Sequence, residues 1–249
     1  MNMGDIELIE TIQKKFNKPI AIVGFPDVGL VGTIAVSHMI ETLGLGEIAH
    51  IESEELPPIV VVRENRPRSL IRVYGNESII CVVSETPLPS HLIKPIANTI
   101  LEWLKNKDVS FVVSIGGIAH PERMEIERPN VYAVPSTAEC EKILKDKRVP
   151  MFQEGFLVGP NGVVVLLGKR KGIPSIHLMS EAYLQFPDPG AAAATIEVIN
   201  RLFGLKVNID KLLEKEEEIR LKTKELMRRT QEMLKEMKEK SETSTVMYR

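Results

Sequence analysis

Up to about residue 205, apolar residues fall into short runs punctuated by Gly and Pro. From 208 to 240 they thin to a single stripe in a charged background. The run at 19–24 reads as a buried strand, and 28–43 has helical spacing. Residues 59–63 and 70–74 read as a hairpin around Asn65-Arg66-Pro67-Arg68, and Gly75-Asn76 turns the chain into a strand at 78–83. A helix is predicted over 89–105, leading into a buried strand at 109–115. Gly159-Pro160-Asn161-Gly162 reads as a turn before a strand at 163–167, and 173–179 reads as a further strand. Asp188-Pro189-Gly190 opens a helix through residue 203, with Asp188 suited to the cap and Pro189 to the first helical position. Strands alternating with helices, some joined by close turns, predict an α/β fold with a mixed sheet between helical layers.

The stretch 208–240 contains neither Gly nor Pro and predicts one long helix. Its stripe runs Leu212, Glu216, Ile219, Thr223, Leu226, Thr230, Met233, Met237, alternating steps of four and three as in a heptad seam. Glu216 with Arg220, Glu218 with Lys222 and Glu225 with Arg229 are spaced to pair along the helix, each adding a few tenths of a kcal/mol. At about 1.5 Å per residue the helix reaches roughly 50 Å. So charged a helix reads as too polar to lie buried on its own domain. It is expected to project or to bundle with copies of itself through Leu212, Ile219, Leu226, Met233 and Met237, with a solvated helix laid along its own domain as the alternative. The organisation predicted is a globular domain over 1–207, an extended helix over 208–240 and a flexible tail over 241–249.

Composition narrows the function. The formal net charge is −2 and no region is one-sidedly basic, so nucleic acid is not the expected partner. No apolar stretch reaches the roughly 20 residues of a membrane span, and the acidic start lacks a signal-peptide pattern, so a soluble, cytoplasmic protein is expected. Cys81 falls in a run that reads as a buried strand and Cys140 in a predicted helix, and both read as core fillers rather than a disulfide pair.

Candidate chemistry centres on two glycine loops. Gly24-Phe25-Pro26-Asp27-Val28-Gly29-Leu30-Val31-Gly32 follows a strand and opens a helix, a place where backbone N–H groups can hold an anion. A phosphate loop needs Lys and then Ser or Thr after Gly29, where Leu30 and Val31 stand. The spacing also misses the dinucleotide fingerprint. The second loop, Gly116-Gly117, ends another strand. Gly24, Asp27, Gly29, Gly116 and Gly117 therefore outline a possible vestigial cleft, with Glu85, His91, His120 and Glu122 as further polar groups that could gather there. Against this, the glycines equally suit tight turns and close helix-to-sheet packing. There is no nucleophile elbow and the histidines lack metal-ligand spacing, so no catalytic residue, cofactor or metal is expected.

The chain end is distinctive. After the polar stretch 241–245 come Val246, Met247, Tyr248 and the terminal Arg249. Hydrophobic-Tyr-any residue at a terminus is a docking signal for the proteasome core particle, and it arises by composition alone at roughly one chain end in a hundred. The loop from Gly24 to Gly32, Glu55-Leu56-Pro57-Pro58, Ile115-Gly116-Gly117, and the blocks Gly155-Phe156-Leu157-Val158-Gly159-Pro160-Asn161-Gly162 and Phe186-Pro187-Asp188-Pro189-Gly190-Ala191-Ala192 together resemble the proteasome assembly chaperone 2 family in its archaeal branch. The resemblance implies a three-layer α/β/α sandwich used as an interaction scaffold and not as an enzyme. It also implies a homo-oligomer, and docking of Met247, Tyr248 and Arg249 into the α-ring of the proteasome core particle without ATP, as an activator or an assembly chaperone. Two other readings stand beside it. One is an oligomeric scaffold whose helices bind another small protein. The other is a hydrolase or phosphorylase-like enzyme with a cleft at the Gly24 and Gly116 loops.

Overall fold

A computed structural model describes residues 6–63 and 65–246. In chain order the elements are β1 (Glu7–Glu10), β2 (Ile20–Gly24), α1 (Val31–Thr42), β3 (Gly46–Glu52), β4 (Val61–Arg63), β5 (Arg66–Arg68), β6 (Ile71–Gly75), β7 (Ile79–Ser84), α2 (Ile93–Asn106), β8 (Phe111–Ala119), β9 (Val131–Pro135), α3 (Ala138–Asp146), α4 (Pro160–Lys171), β10 (Ser175–Ala182), α5 (Pro189–Phe203), α6 (Asp210–Glu214) and α7 (Glu216–Val246). Eight strands form one sheet in the order β1-β3-β6-β7-β2-β8-β10-β9. The central four, β7, β2, β8 and β10, run parallel, and β6, β3 and β1 on one edge and β9 on the other are each added by antiparallel pairing to the strand before them. Nearly continuous apolar runs such as Ile-Ile-Cys-Val-Val in β7 suit strands covered on both faces.

Strand alternation divides the core in two. Ile22 of β2 faces a cluster built with α1, α3 and α5, while Ala21 and Val23 face a cluster built with α2 and α4. The sheet is thus the middle layer of an α/β/α sandwich, as expected. Among the described residues, no helix is long and apolar enough to cross a membrane.

Three local expectations are corrected. Residues 59–63 do not pair with 70–74: β4 pairs with β5, and β6 is instead inserted between β3 and β7. The turn comes early because Asn65 takes the left-handed φ of 60° that Asn tolerates. The run at 163–167 is not a strand but the middle of α4. Five apolar residues in succession fit either state. The helix is set by its ends, with Pro160 in the first turn, Lys169, Arg170 and Lys171 in the last, and Gly172 closing it at φ 70°. By contrast α5 starts where its sequence says, with Asp188 Oδ1 accepting from Ala191 N–H at 2.9 Å.

The third correction concerns the long helix, which breaks at Lys215 into α6 and α7. Residues 241–245, read as a flexible tether, continue α7 as helix to Val246, and the stretch contains neither Gly nor Pro to stop it. The three expected ion pairs form, at 2.5 Å for Glu216–Arg220 and Glu218–Lys222 and 3.0 Å for Glu225–Arg229. The stripe, however, is turned inward. Leu212 is buried, Ile219 and Leu226 pack on the α1/α5 cluster beside buried Met227, Met233 is half-buried, and Met237 packs on the α2/α4 cluster. Thr223 and Thr230, polar in the sequence, donate their hydroxyls to Ile219 O at 2.7 Å and Leu226 O at 2.8 Å in their own helix. With those groups satisfied, Thr230 is fully buried and the stripe covers its own domain.

Candidate functional site

The two glycine loops do meet, since β2 and β8 are neighbours and both end on the same side of the sheet. The space between them is filled. A Cβ on Gly24 would stand 2.3 Å from Gly32 O, and one on Gly116 would stand 2.4 Å from Asp27 Oδ2. These glycines let backbone and side chain approach where any larger residue would collide.

Asp27 lies at the centre, with only 6% of its surface exposed. Its Oδ2 accepts from Asn161 Nδ2 at 2.9 Å and from Gly117 N–H at 3.3 Å. Asn161, in the first turn of α4, also closes a two-way bond with the Phe25 backbone, at 3.1 Å in each direction. Asp27 Oδ1 is buried without a partner among the described residues. Burial pushes the Asp27 carboxyl well above its ordinary 3.8, although Asn161 and Gly117 pull the other way. The folded state therefore holds this proton more tightly than the unfolded chain does. Stability falls as pH rises above the ordinary value, until the folded group itself ionises. Asp27→Asn places its amide oxygen where Asp27 Oδ2 accepts and removes the ionisation. It is expected to melt above the wild type at pH 8, with the difference closing toward pH 4 in thermal melts at both pH values.

The neighbouring loop residues are held in an unusual conformation. Gly29 has φ 64° and buried Leu30 has φ 52°, a left-handed setting that disfavours a bulky side chain. The loop is pinned from outside by Asp188, whose N–H donates to Gly29 O at 2.8 Å. Asp188 is fully buried and receives a two-pronged pair from Arg123, Nε at 2.8 Å and Nη2 at 2.9 Å, plus the Tyr183 N–H at 3.1 Å. The Tyr183 ring stacks under Arg123 at 4.9 Å and also under Arg220 of α7 at 5.3 Å. Thus α7 lies across the turn at Val28–Leu30, over the strand ends where open α/β sheets usually take ligands.

The other polar candidates scatter. Glu85 pairs with Arg63 at 3.0 Å and with buried Arg72, and His91 pairs with Glu55 at 3.1 Å. Glu122 is exposed, and His120 borders a separate hollow with Met124, Tyr183 and Phe186. Among the described residues no three His, Cys, Asp or Glu side chains are grouped to hold a metal. Asn161, His177, Ser114 and Arg123 are the members of this region missed from sequence. For Asn161 and Arg123 a signal existed, since both lie in or beside Gly- and Pro-marked loops. Met247, Tyr248 and Arg249 lie outside the described residues.

Beside α7 runs a groove of about 870 Å³, lined by Met124, Tyr183, Phe186 and Pro187 and by residues of α7. Met124 is 86% exposed, Leu221 70% and Phe186 60%. The molecule is therefore an α/β/α domain whose strand-end crevice is filled by its own loops and roofed by its own helix, with an apolar groove alongside. It belongs to the PAC2 family, whose model matches residues 21–227. The uncharacterized protein MJ0106 of Methanocaldococcus jannaschii is 30% identical to it over 224 residues, which cover 90% of this chain and 92% of that one. PbaA of Pyrococcus furiosus, an archaeal homolog of proteasome-assembly chaperone, superposes with a TM-score of 0.85 at 29% identity, covering 92% of this chain and 99% of that one. PbaB of the same organism, an archaeal proteasome activator, shares the fold with a TM-score of 0.77 at 24% identity, over 92% of this chain and 98% of PbaB.

Proposed function

We propose that this chain is a cytoplasmic, homo-oligomeric, ATP-independent proteasome-binding factor, an activator or an assembly chaperone. In this reading it docks Met247, Tyr248 and Arg249 into the α-ring of the core particle. The observation that carries the reading is the likeness to PbaA over nearly the whole chain, joined to a terminal hydrophobic-Tyr-X sequence. The filled crevice at Gly24 and Gly116, and the lack of a phosphate-loop Lys, weigh against an ATPase or a hydrolase. Among the described side chains of α7, Met237 is the last that packs on the domain, and the helix runs on for about 14 Å to Val246. A three-residue anchor binds weakly alone, and several copies on one oligomer raise its apparent affinity through effective concentration.

Tyr248→Ala, or deletion of 247–249, is expected to lower binding to purified core particle at least tenfold and to remove any stimulation of peptide hydrolysis, with the melting curve unchanged. Equal binding by wild type and both variants would refute the docking role. The exposed groove favours a second reading, a scaffold for another small protein. Co-purification of a partner in place of the core particle, unaffected by loss of the tail, would select it.

A further inference from the structure

The sequence expects self-association through the stripe at Leu212, Ile219, Leu226, Met233 and Met237, and that stripe is occupied by the chain's own domain. A second stripe on α7 remains open. Glu217, Leu221, Lys224, Arg228 and Gln231 line the groove, again in steps of four and three, flanked by Arg220 and Glu225. It extends over about 21 Å of helix. Glu217 and Lys224 make no ion pair among the described residues, and Leu221 is largely exposed.

The charges on this stripe are complementary to themselves when reversed. If a second α7 lies antiparallel across a two-fold axis between Lys222 and Thr223, Glu217 falls opposite Arg228 of the partner subunit. Arg220 then falls opposite Glu225 of the partner subunit, and Leu221 opposite the aliphatic stem of Lys224 of the partner subunit. All three matches come from the same axis position, and the symmetry makes each one twice. An isologous interface requires this property of a single surface. The apolar part is supplied by Leu221 together with Met124 and Phe186 at the groove wall, and the ion pairs set register and orientation.

We propose that the groove beside α7 is a two-fold interface whose occupant is the α7 of a second copy of this chain. The proposal deepens the homo-oligomer part of the function above and does not depend on what the tail binds. Full-length protein at micromolar concentration, measured by light scattering and native mass spectrometry, provides the test. Leu221→Glu is expected to weaken self-association at least a hundredfold, whereas Leu166→Glu, an exposed position on α4, is expected to leave it unchanged. Glu225→Arg and Arg220→Glu should each fail to pair with themselves and should form the mixed pair when combined. Because Arg220 also stacks on Tyr183, the combination of Glu217→Arg with Arg228→Glu provides the same readout without touching that contact. An oligomer that survives Leu221→Glu and all four charge reversals would overturn the interface and leave the homo-oligomer reading standing. A monomeric wild type would overturn both, and neither result bears on binding to the core particle.

Discussion

Arg123→Ala is expected to destabilise the protein by about 3–5 kcal/mol, the usual cost of stranding a buried charge. Asp188 is fully buried, and its carboxylate would be left with only the N–H groups of Tyr183 and Ala191. Loss of the guanidinium also removes its bond to Ile126 O at 2.6 Å and the stack on Tyr183. For a chain of this size the melting temperature should fall by on the order of 10 °C. Arg123→Lys should recover only part of this, because a single ammonium cannot make both bonds at once. The double variant Arg123→Met with Asp188→Asn should be more stable than Arg123→Ala alone, since no uncompensated charge remains. If Arg123→Ala melts within 2–3 °C of the wild type, the pair is not the clasp its geometry describes.

The second large effect is acid sensitivity from His177. This side chain is buried on β10, with Nδ1 2.9 Å from Ser114 Oγ and 3.2 Å from Ser114 O. Burial lowers its pKa to about 4, against a smaller opposing effect of the Ser114 carbonyl. As pH falls below about 6.5 the unfolded chain takes up a proton that the folded one refuses. Stability from this group is intact above 6.5 and is lost progressively down to about 4, amounting to about 3 kcal/mol. Asp27 acts with the opposite sign, gaining stability as pH falls toward its ordinary value, so the raw acid limb mixes the two. Comparison with His177→Gln isolates the histidine. The wild type's advantage over that variant should shrink by about 3 kcal/mol between pH 6.5 and pH 4 in denaturant titrations. A constant gap would mean that His177 titrates normally.

How much of this was legible depended on whether a local signal decided the matter. Asp188-Pro189 specified α5 because cap and first-turn residues act within one helical turn. The ion pairs along α7 were legible for the same reason. The run at 163–167 misled because apolar continuity carries no period, and only the helix ends tell the two states apart. The inward turn of α7 was invisible in principle. A heptad stripe satisfies a partner helix or its own domain equally, and the choice depends on α5 and the Val28–Leu30 turn supplying a surface for it. The site was half legible. Gly24, Asp27 and Gly116 were expected to meet and do, but whether they enclose space depends on side chains remote in sequence. Asn161 is one of these, reaching Asp27 from 134 positions away.

The path of α7 over the strand ends also has a mechanical consequence. Its anchors lie in a row, Ile219, Leu226, Met227, Thr230 and Met237, along an axis that ends at the C-terminus. Tension applied at the chain end and directed away from the domain loads Met237 first and Ile219 last. The helix then peels one contact at a time, at lower force than a helix sheared along its whole length. A molecule held by its tail would yield first at Met237 and then lose the roof over the Val28–Leu30 turn, long before the sheet beneath it felt the load.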